Sequence, residues 1–355
     1  MNRLETIRYN EADNSITIID QTKLPNALVY KTLVSSQDVY HAIKDLEVRG
    51  APLIGITAAY GLLMSALNAG GQSASDLGLF CTFVRFEKSV LESARPTAVN
   101  LANALNRMVD GLESLASVAE AKELLRARAF ALHAEDRAIS EAIGRYGANL
   151  LGDGARVMTI CNAGLLATAN EYGTALAPVY MAQEQGRSVS VTALETRPVL
   201  QGARLTTFEL THKGVPTTLI CDNMMGWYLS NHHVDAIFVG CDRVAKNGDF
   251  ANKIGTFTLA ALARAFAVPF YVCLPSTTID FDAESMGDIE IEFRDAEEVR
   301  SMWYEKPMVA AETKILNPAF DCTPRDFVTG YIVGALQIHG VLCPHGLVEV
   351  AAHIL

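Results

Sequence analysis

Five short apolar runs in the second half of the chain each end in residues able to do chemistry. Residues 156–160 run into Cys161-Asn162-Ala163-Gly164, and residues 188–194 into Glu195-Thr196-Arg197-Pro198. Residues 217–221 lead to Asp222-Asn223-Met224-Met225, and residues 236–239 to Gly240-Cys241-Asp242-Arg243. The fifth run, 269–274, ends in Pro275-Ser276-Thr277-Thr278. Cys161 reads as opening a turn into a helix, whose partial positive end would lower the thiol pKa and expose a thiolate. Elsewhere a cysteine is more often a small buried hydrophobe, the reading given to Cys81, Cys221, Cys241, Cys273, Cys322 and Cys343. Asp242, carried to the edge of an apolar strand, can be desolvated enough to serve as a general acid. The same carboxylate can instead cap the next helix or pair with Arg243. Asp222 is read as an orienting or capping residue for a helix starting at Met224.

Three further segments suit an anion. Asn247-Gly248-Asp249-Phe250-Ala251-Asn252-Lys253-Ile254-Gly255-Thr256 is a polar loop entering an apolar helix, where backbone N–H groups and the Lys253 ammonium fit a phosphate or carboxylate. Many such loops are merely turns. Arg49-Gly50-Ala51-Pro52 and Arg95-Pro96-Thr97 each set an arginine just before a helix start. Two cases in an acidic chain point to an anion held between domains.

The elements that must position these residues follow from periodicity. Apolar runs alternating with helical stretches (167–184, 206–213, 224–232 and 255–267) imply βαβ units and a parallel sheet. In such a sheet ligands bind at the carboxyl ends of the strands, where the polar residues fall. Residues 11–35 read as a short hairpin around a turn at 20–26, and 36–152 as mainly helical, with Pro52 and Pro96 at helix starts. The fold class is therefore α/β, a Rossmann-like parallel sheet domain (151–355) preceded by a smaller, mainly helical domain (1–150) with a β-hairpin. The tail beyond Asn317 reads as one more strand or loop and a helix over 324–338.

Composition removes whole classes. The chain has 355 residues, half of them apolar and 19% charged, so a folded core is expected rather than disorder. A net charge of −11 argues against a non-specific nucleic-acid binder. The start lacks an apolar leader, and the longest apolar stretch, 256–275, is broken by Arg264 and Pro269, so neither secretion nor a membrane span is expected. Seven cysteines without a CxxC pair suit a reducing cytoplasm, not a disulfide or zinc framework. The histidines lack metal-ligand spacing, and no glycine fingerprint follows a strand. No metal and no cofactor are expected.

Taken together, the stretches Arg49–Gly55, Arg95–Leu101, Cys161–Gly164, Glu195–Thr206, Val239–Arg243 and Asn247–Thr256 resemble the 5-methylthioribose-1-phosphate isomerases. Their superfamily is shared with the regulatory subunits of translation initiation factor two-B. The likeness runs from about residue 15 to the C-terminus. It implies a homodimer that turns a cyclic aldose 1-phosphate into a ketose 1-phosphate. On that pattern Asp242 is the proton donor and Cys161 the second catalytic residue. Arg49, Gly50, Ala51, Arg95, Gln201, Asn252 and Lys253 would bind the sugar phosphate. Departures at Ile160, Cys241 and Phe293 leave the group at carbon five open between 5-methylthio, 5-deoxy and 5-phospho sugars. A non-catalytic regulatory subunit is the rival from another class, and retention of both Cys161 and Asp242 favours the enzyme.

Overall fold

The computed structural model describes residues 4–96, 98–334 and 340–342. The chain divides into two compact units, Met1–Ala138 with Leu165–Gly173, and Ile139–Gly164 with Thr174–Leu355. The division falls inside a long helix rather than after residue 150, and it returns a loop from the sheet region to the first unit.

In the first unit, β1 (Ile7–Asn10), β2 (Ser15–Ile19) and β3 (Tyr30–Leu33) form an antiparallel sheet in which β2 and β3 are the expected hairpin. Strand β1 adds a third member, pairing Ile7 with Ile18 and Asn10 with Ser15. Five helices follow among the described residues: α1 (Ser36–Lys44), α2 (Ala51–Leu67), α3 (Leu77–Glu92), α4 (Val99–Val109) and α5 (Val118–Ala148). Ser35 and Asp76 start α1 and α3 by accepting the Asp38 and Leu79 N–H groups. Helix α2 is buried from Leu53 to Ala66, as a helix apolar on all sides must be. Pro52 sits in its first turn as expected. Pro96 does not open α4, whose N-cap is Ala98. Thr97 lies outside the described residues.

The loop Leu165–Gly173 is tied to α5 by buried polar contacts. One carboxylate oxygen of Asp136 accepts the Ala169 N–H at 2.9 Å and the Asn170 Nδ2–H at 2.7 Å. His133 Nε2 donates to the Ala169 carbonyl at 2.7 Å, leaving Nδ1 to accept the Tyr60 hydroxyl at 2.7 Å. Burial pushes the Asp136 carboxyl up to about 6, although both hydrogen bonds and His133 pull it down. A raised carboxyl stabilises the fold fully below its ordinary 3.8, and that contribution is lost as pH rises through about 6. The loss amounts to about 3 kcal/mol. Asp136→Asn keeps an oxygen for both donors and carries no charge. Its Tm, relative to the native chain's, is expected to climb by several degrees between about pH 4 and pH 7. A Tm difference that stays flat across that window would show that Asp136 titrates like an exposed carboxyl.

The second unit opens with β4 (Ala155–Thr159), α6 (Ala177–Glu184), β5 (Val189–Leu194), α7 (Thr207–His212), β6 (Thr217–Ile220), α8 (Met225–Asn231) and β7 (Ala236–Val239). It continues through β8 (Arg243–Ala245), β9 (Phe250–Lys253), α9 (Thr256–Ala265), β10 (Phe270–Pro275), β11 (Ile279–Asp280) and α10 (Glu297–Arg300) to β12 (Phe320–Thr323), β13 (Gly330–Gly334) and β14 (Gly340–Leu342). The main sheet runs β14-β13-β10-β7-β4-β5-β6, parallel except for the antiparallel edge β14. Counting its six parallel strands in chain order gives 3-2-1-4-5-6, the doubly wound order, with the reversal between β4 and β7. Central β7, Ala-Ile-Phe-Val, is buried along its length, while edge strand β6 exposes Leu219. A second sheet, β11-β8-β9-β12, grows from the segments after β7 and β10. No helix among the described residues is long and apolar enough to cross a membrane.

Three sequence expectations need correction. The helix expected over 167–184 starts only at Ala177. Asn170 Oδ1 accepts the Tyr172 and Gly173 N–H groups in a tight turn, Gly173 takes φ +79°, and Pro178 then sits in the first turn of α6. The tail helix expected over 324–338 is instead a short turn at Arg325–Phe327 followed by β13, whose Tyr-Ile-Val run pairs with β10. Residues 335–338 lie outside the described residues. Finally, Asn247–Thr256 is no open loop. Its Asn247–Asp249 turn joins β8 to β9, so Asn252 and Lys253 lie on a strand paired with β12.

Candidate active site

The reversal of strand order decides which polar strand ends meet. Strand β4 pairs with β7 through Val157 with Ala236 and Met158 with Ile237, so the segments after the two strands leave the sheet side by side. A Cβ on Gly240 would stand 3.0 Å from the Ala163 Cβ and 3.9 Å from Asn252 Oδ1. A side chain there would press on Ala163, because the turns after β4 and β7 and strand β9 come close together at this position. Cys161, Asp242 and Asn252 thus share the carboxyl edge at the switch between β4 and β7.

Cys161 sits in the left-handed backbone region with φ +65°. The regular element after it is a single 3₁₀ turn, Leu165–Ala167, and α6 begins far beyond. Cys161 does not open a helix, so the helix-dipole argument made from the sequence does not hold. Two hydroxyls take its peptide groups instead. Thr196 Oγ1 accepts the Cys161 N–H at 2.8 Å, and Thr206 Oγ1 donates to the Cys161 carbonyl at 2.6 Å. Asn162 Nδ2 donates to that same Thr206 oxygen at 3.2 Å. Two residues on, Gly164 lies against Glu209, a fully buried carboxylate that accepts the Tyr180 hydroxyl at 2.9 Å. A Cβ at Gly164 would fall 1.3 Å from Glu209 Oε1, so only glycine fits.

The turn after β5 is equally constrained. Asp222, read from the sequence as serving α8, aims its carboxylate at this turn, accepting the Thr196 N–H at 2.8 Å and the Arg197 N–H at 2.6 Å. Thr196 and Leu200 both have positive φ. Gln201 then leads into a π-helical turn, Gly202–Thr206, of the kind that recurs at functional sites. Gln201 is 7% exposed, and its Oε1 is buried with no hydrogen-bond partner among the described residues. A buried orphan acceptor calls for a donor from outside the chain, such as a ligand hydroxyl.

Asp242 precedes strand β8 rather than a helix, and Arg243 reaches Asp280 at 3.4 Å. Its own N–H donates to the Ala251 carbonyl at 3.0 Å, which holds it beside β9. Asn252 Nδ2 donates to Thr256 Oγ1 at 3.0 Å. Lys253 is buried, donating to the Ala319 carbonyl at 2.9 Å and lying 4.4 Å from the centre of the Phe320 ring. The anion expected at the start of α9 is the chain's own. Asp321 accepts the Gly255 N–H at 2.7 Å and the Phe257 N–H at 3.0 Å, and burial raises its carboxyl despite those bonds. The α9 terminus is therefore occupied, and an external phosphate would have to use Lys253 or other groups.

The remaining candidates belong to the first unit. Gly50, with φ +96°, is the N-cap of α2, and a Cβ there would stand 2.5 Å from the Ala167 backbone. Arg49 and Ala51 flank it. Gly55 in α2 packs on the backbone of Asn100 in α4, so the first turns of the two helices are neighbours. Arg49 directly precedes the N-cap of α2, whereas Arg95 lies four residues ahead of α4 rather than at its start.

Of the cysteines read as buried, Cys221, Cys241 and Cys322 are only half-buried. Cys81 and Cys273 are buried. Burial, with the nearby Asp242 charge, holds the Cys241 thiol well above its ordinary value. Cys221, expected in the core, instead lies half-buried past β6, where the Glu195 carboxylate raises its thiol pKa. Cys343 lies outside the described residues. Thr196, Thr206, Asp222 and Glu209 are the site residues for which sequence reasoning found no such role. The two threonines stand inside a recognised stretch, whereas nothing local marks Glu209, an acidic residue in the short mixed helix α7.

Known proteins resemble this chain along most of its length. The profile of the Initiation factor 2 subunit family matches residues 47–337. A methylthioribose-1-phosphate isomerase of Symbiobacterium thermophilum is 49% identical over 93% of this chain and 91% of its own length. A 5-deoxyribose 1-phosphate isomerase of Petrotoga mobilis is 44% identical over 92% of this chain and 93% of its own. The crystal structure of 5-methylthioribose 1-phosphate isomerase from Pyrococcus horikoshii superposes with a TM-score of 0.87 at 36% identity, covering 99% of this chain and 96% of that one. With the family profile spanning most of its length, this chain belongs to the Initiation factor 2 subunit family, in the group that contains the methylthioribose-1-phosphate isomerases.

Proposed function

We propose that this chain is an aldose–ketose isomerase that converts 5-methylthioribose 1-phosphate to 5-methylthioribulose 1-phosphate, a step of methionine salvage. Phosphate on the anomeric oxygen stops the ring from opening as a free sugar's does, so the protein must drive the opening. Asp242 acts as the general acid, passing its proton to the ring oxygen as the bond from that oxygen to C1 breaks. Hydrogen then moves from C2 to C1 while the C2 hydroxyl gives up its proton and becomes the ketone. The ring oxygen gains one proton and the C2 hydroxyl loses one, so the reaction needs neither oxidant nor reductant. Cys161, as base or as stabiliser of the transition state, serves the second step.

Arg49, Gly50, Ala51, Arg95, Gln201, Asn252 and Lys253 bind the sugar phosphate in this reading. The observation that supports it is the placement of Cys161 and Asp242 just beyond the ends of the neighbouring strands β4 and β7. The orphaned Gln201 oxygen supports a sugar hydroxyl as its partner, since an amide oxygen accepts and phosphate offers no donor. A cytoplasmic homodimer completes the proposal, with a net charge of −11 and no CxxC pair in support of the compartment.

The likeness to the Petrotoga enzyme favours 5-deoxyribose 1-phosphate as a second reading. Turnover of aldose 1-phosphates differing only at carbon five separates the two, with the 5-methylthio sugar expected to show the highest kcat/KM. A higher value for the 5-deoxy sugar would reassign the substrate. Tight binding of the sugars without turnover of any would instead identify a non-catalytic regulatory subunit.

A further inference from the structure

We infer that Thr196 and Thr206 are positioning residues that aim the Cys161 thiol, an inference that rests on Cys161 acting in the reaction. Both threonines are fully buried. They reach Cys161 from opposite ends of the segment between β5 and α7, 35 and 45 residues away along the chain. A residue with a Cβ adopts φ +65° only where its surroundings impose it. Here they do so at both peptide groups, with the N–H donating to Thr196 at 2.8 Å and the carbonyl accepting from Thr206 at 2.6 Å.

Each hydroxyl is fully used. Thr196 also donates to the Leu194 carbonyl at 3.1 Å, and its own N–H is held by Asp222. Thr206 also accepts the Asn162 amide at 3.2 Å. The backbone angles at Cys161 set the direction of its Cα–Cβ bond, and through that bond the direction of the sulfur. Whatever fixes those angles therefore fixes the aim of the thiol. Relaxing φ toward the ordinary region would turn the sulfur away from the direction it now takes.

The test compares valine, which keeps the shape of threonine and removes the hydroxyl, with serine, which keeps the hydroxyl. Thr196→Val, Thr206→Val, Thr196→Ser and Thr206→Ser are each assayed for turnover of 5-methylthioribose 1-phosphate. Iodoacetamide labelling of Cys161, located by mass spectrometry across a pH series, reads the thiol without substrate. Each valine variant is expected to lose about 10²-fold in kcat with KM held within about 3-fold, the scale of a misplaced reacting group. Its Cys161 labelling profile should shift as well. Each serine variant should stay within about 3-fold of the native chain in kcat. Native kcat and labelling in a valine variant, or a serine variant as impaired as its valine partner, would overturn the inference. Should one valine variant not fold, the other threonine carries the same comparison. If the native chain turns over no aldose 1-phosphate, the isomerase reading falls, and the labelling comparison still decides the role of the threonines.

Discussion

Asp242→Asn is expected to lower kcat by about 10²–10⁴-fold, the usual contribution of a positioned general acid, while KM changes by no more than a few-fold. Asparagine has nearly the same volume and still hydrogen-bonds, but it has no proton to give at the ring oxygen. The backbone bond that holds position 242 against Ala251 does not involve the side chain, so the turn before β8 should survive the change. The loss should therefore appear in turnover rather than in folding or affinity. Steady-state kinetics with a thermal melt as control measure both. A variant with near-native kcat would remove Asp242 from the acid role, and one with unchanged kcat but a large rise in KM would make it a binding residue.

Cys161→Ser is expected to cost a similar factor in kcat, about 10²–10⁴-fold, because a hydroxyl is far less acidic than a thiol and stays protonated where a thiolate can form. Serine keeps the backbone and differs by one atom, so the two threonines should still hold it. In the native chain a thiol reagent should abolish activity, and substrate should slow that loss. The other cysteines predict a sharp contrast. Cys81 and Cys273 are buried, Cys241 is held protonated by burial and by Asp242, and Cys221 sits beside a carboxylate that disfavours its thiolate. Alanine at any one of these should leave the inactivation in place. Near-native turnover in Cys161→Ser would end the catalytic assignment of the thiol.

How much of this was legible beforehand depended on the range of the interaction concerned. The five apolar runs that became β4, β5, β6, β7 and β10 were readable because a buried strand is a local pattern of apolar and β-branched residues. The polar residues at their ends, among them Cys161 and Asp242, were readable for the same reason, since each follows its strand directly. The start of α2 was also legible, because Gly50 and Pro52 impose it within a few residues.

Other local readings failed where a distant partner decided. The stretch 330–334 passed for helix until β10 offered it a ladder, and 167–176 passed for helix although Asn170 turns the chain there. A pattern of 3.6 residues and a strand of five apolar residues look alike over so short a window.

What tertiary structure alone decided is which strand ends meet and what holds them. No property of residues 155–159 or 236–239 announces that these strands are neighbours, yet that adjacency places Cys161 and Asp242 at one edge of the sheet. The hydroxyls on Cys161 come from 35 and 45 residues away, and Glu209 reaches Gly164 from beyond both. Asp321 takes the start of α9 from 66 residues away, displacing the anion that the local sequence invited. Hydrogen bonds and close packing act over a few ångströms of space, and a sequence records only distance along the chain. It could therefore name the reacting groups, but not the threonines that orient one of them or the carboxylate that had already filled the expected anion site.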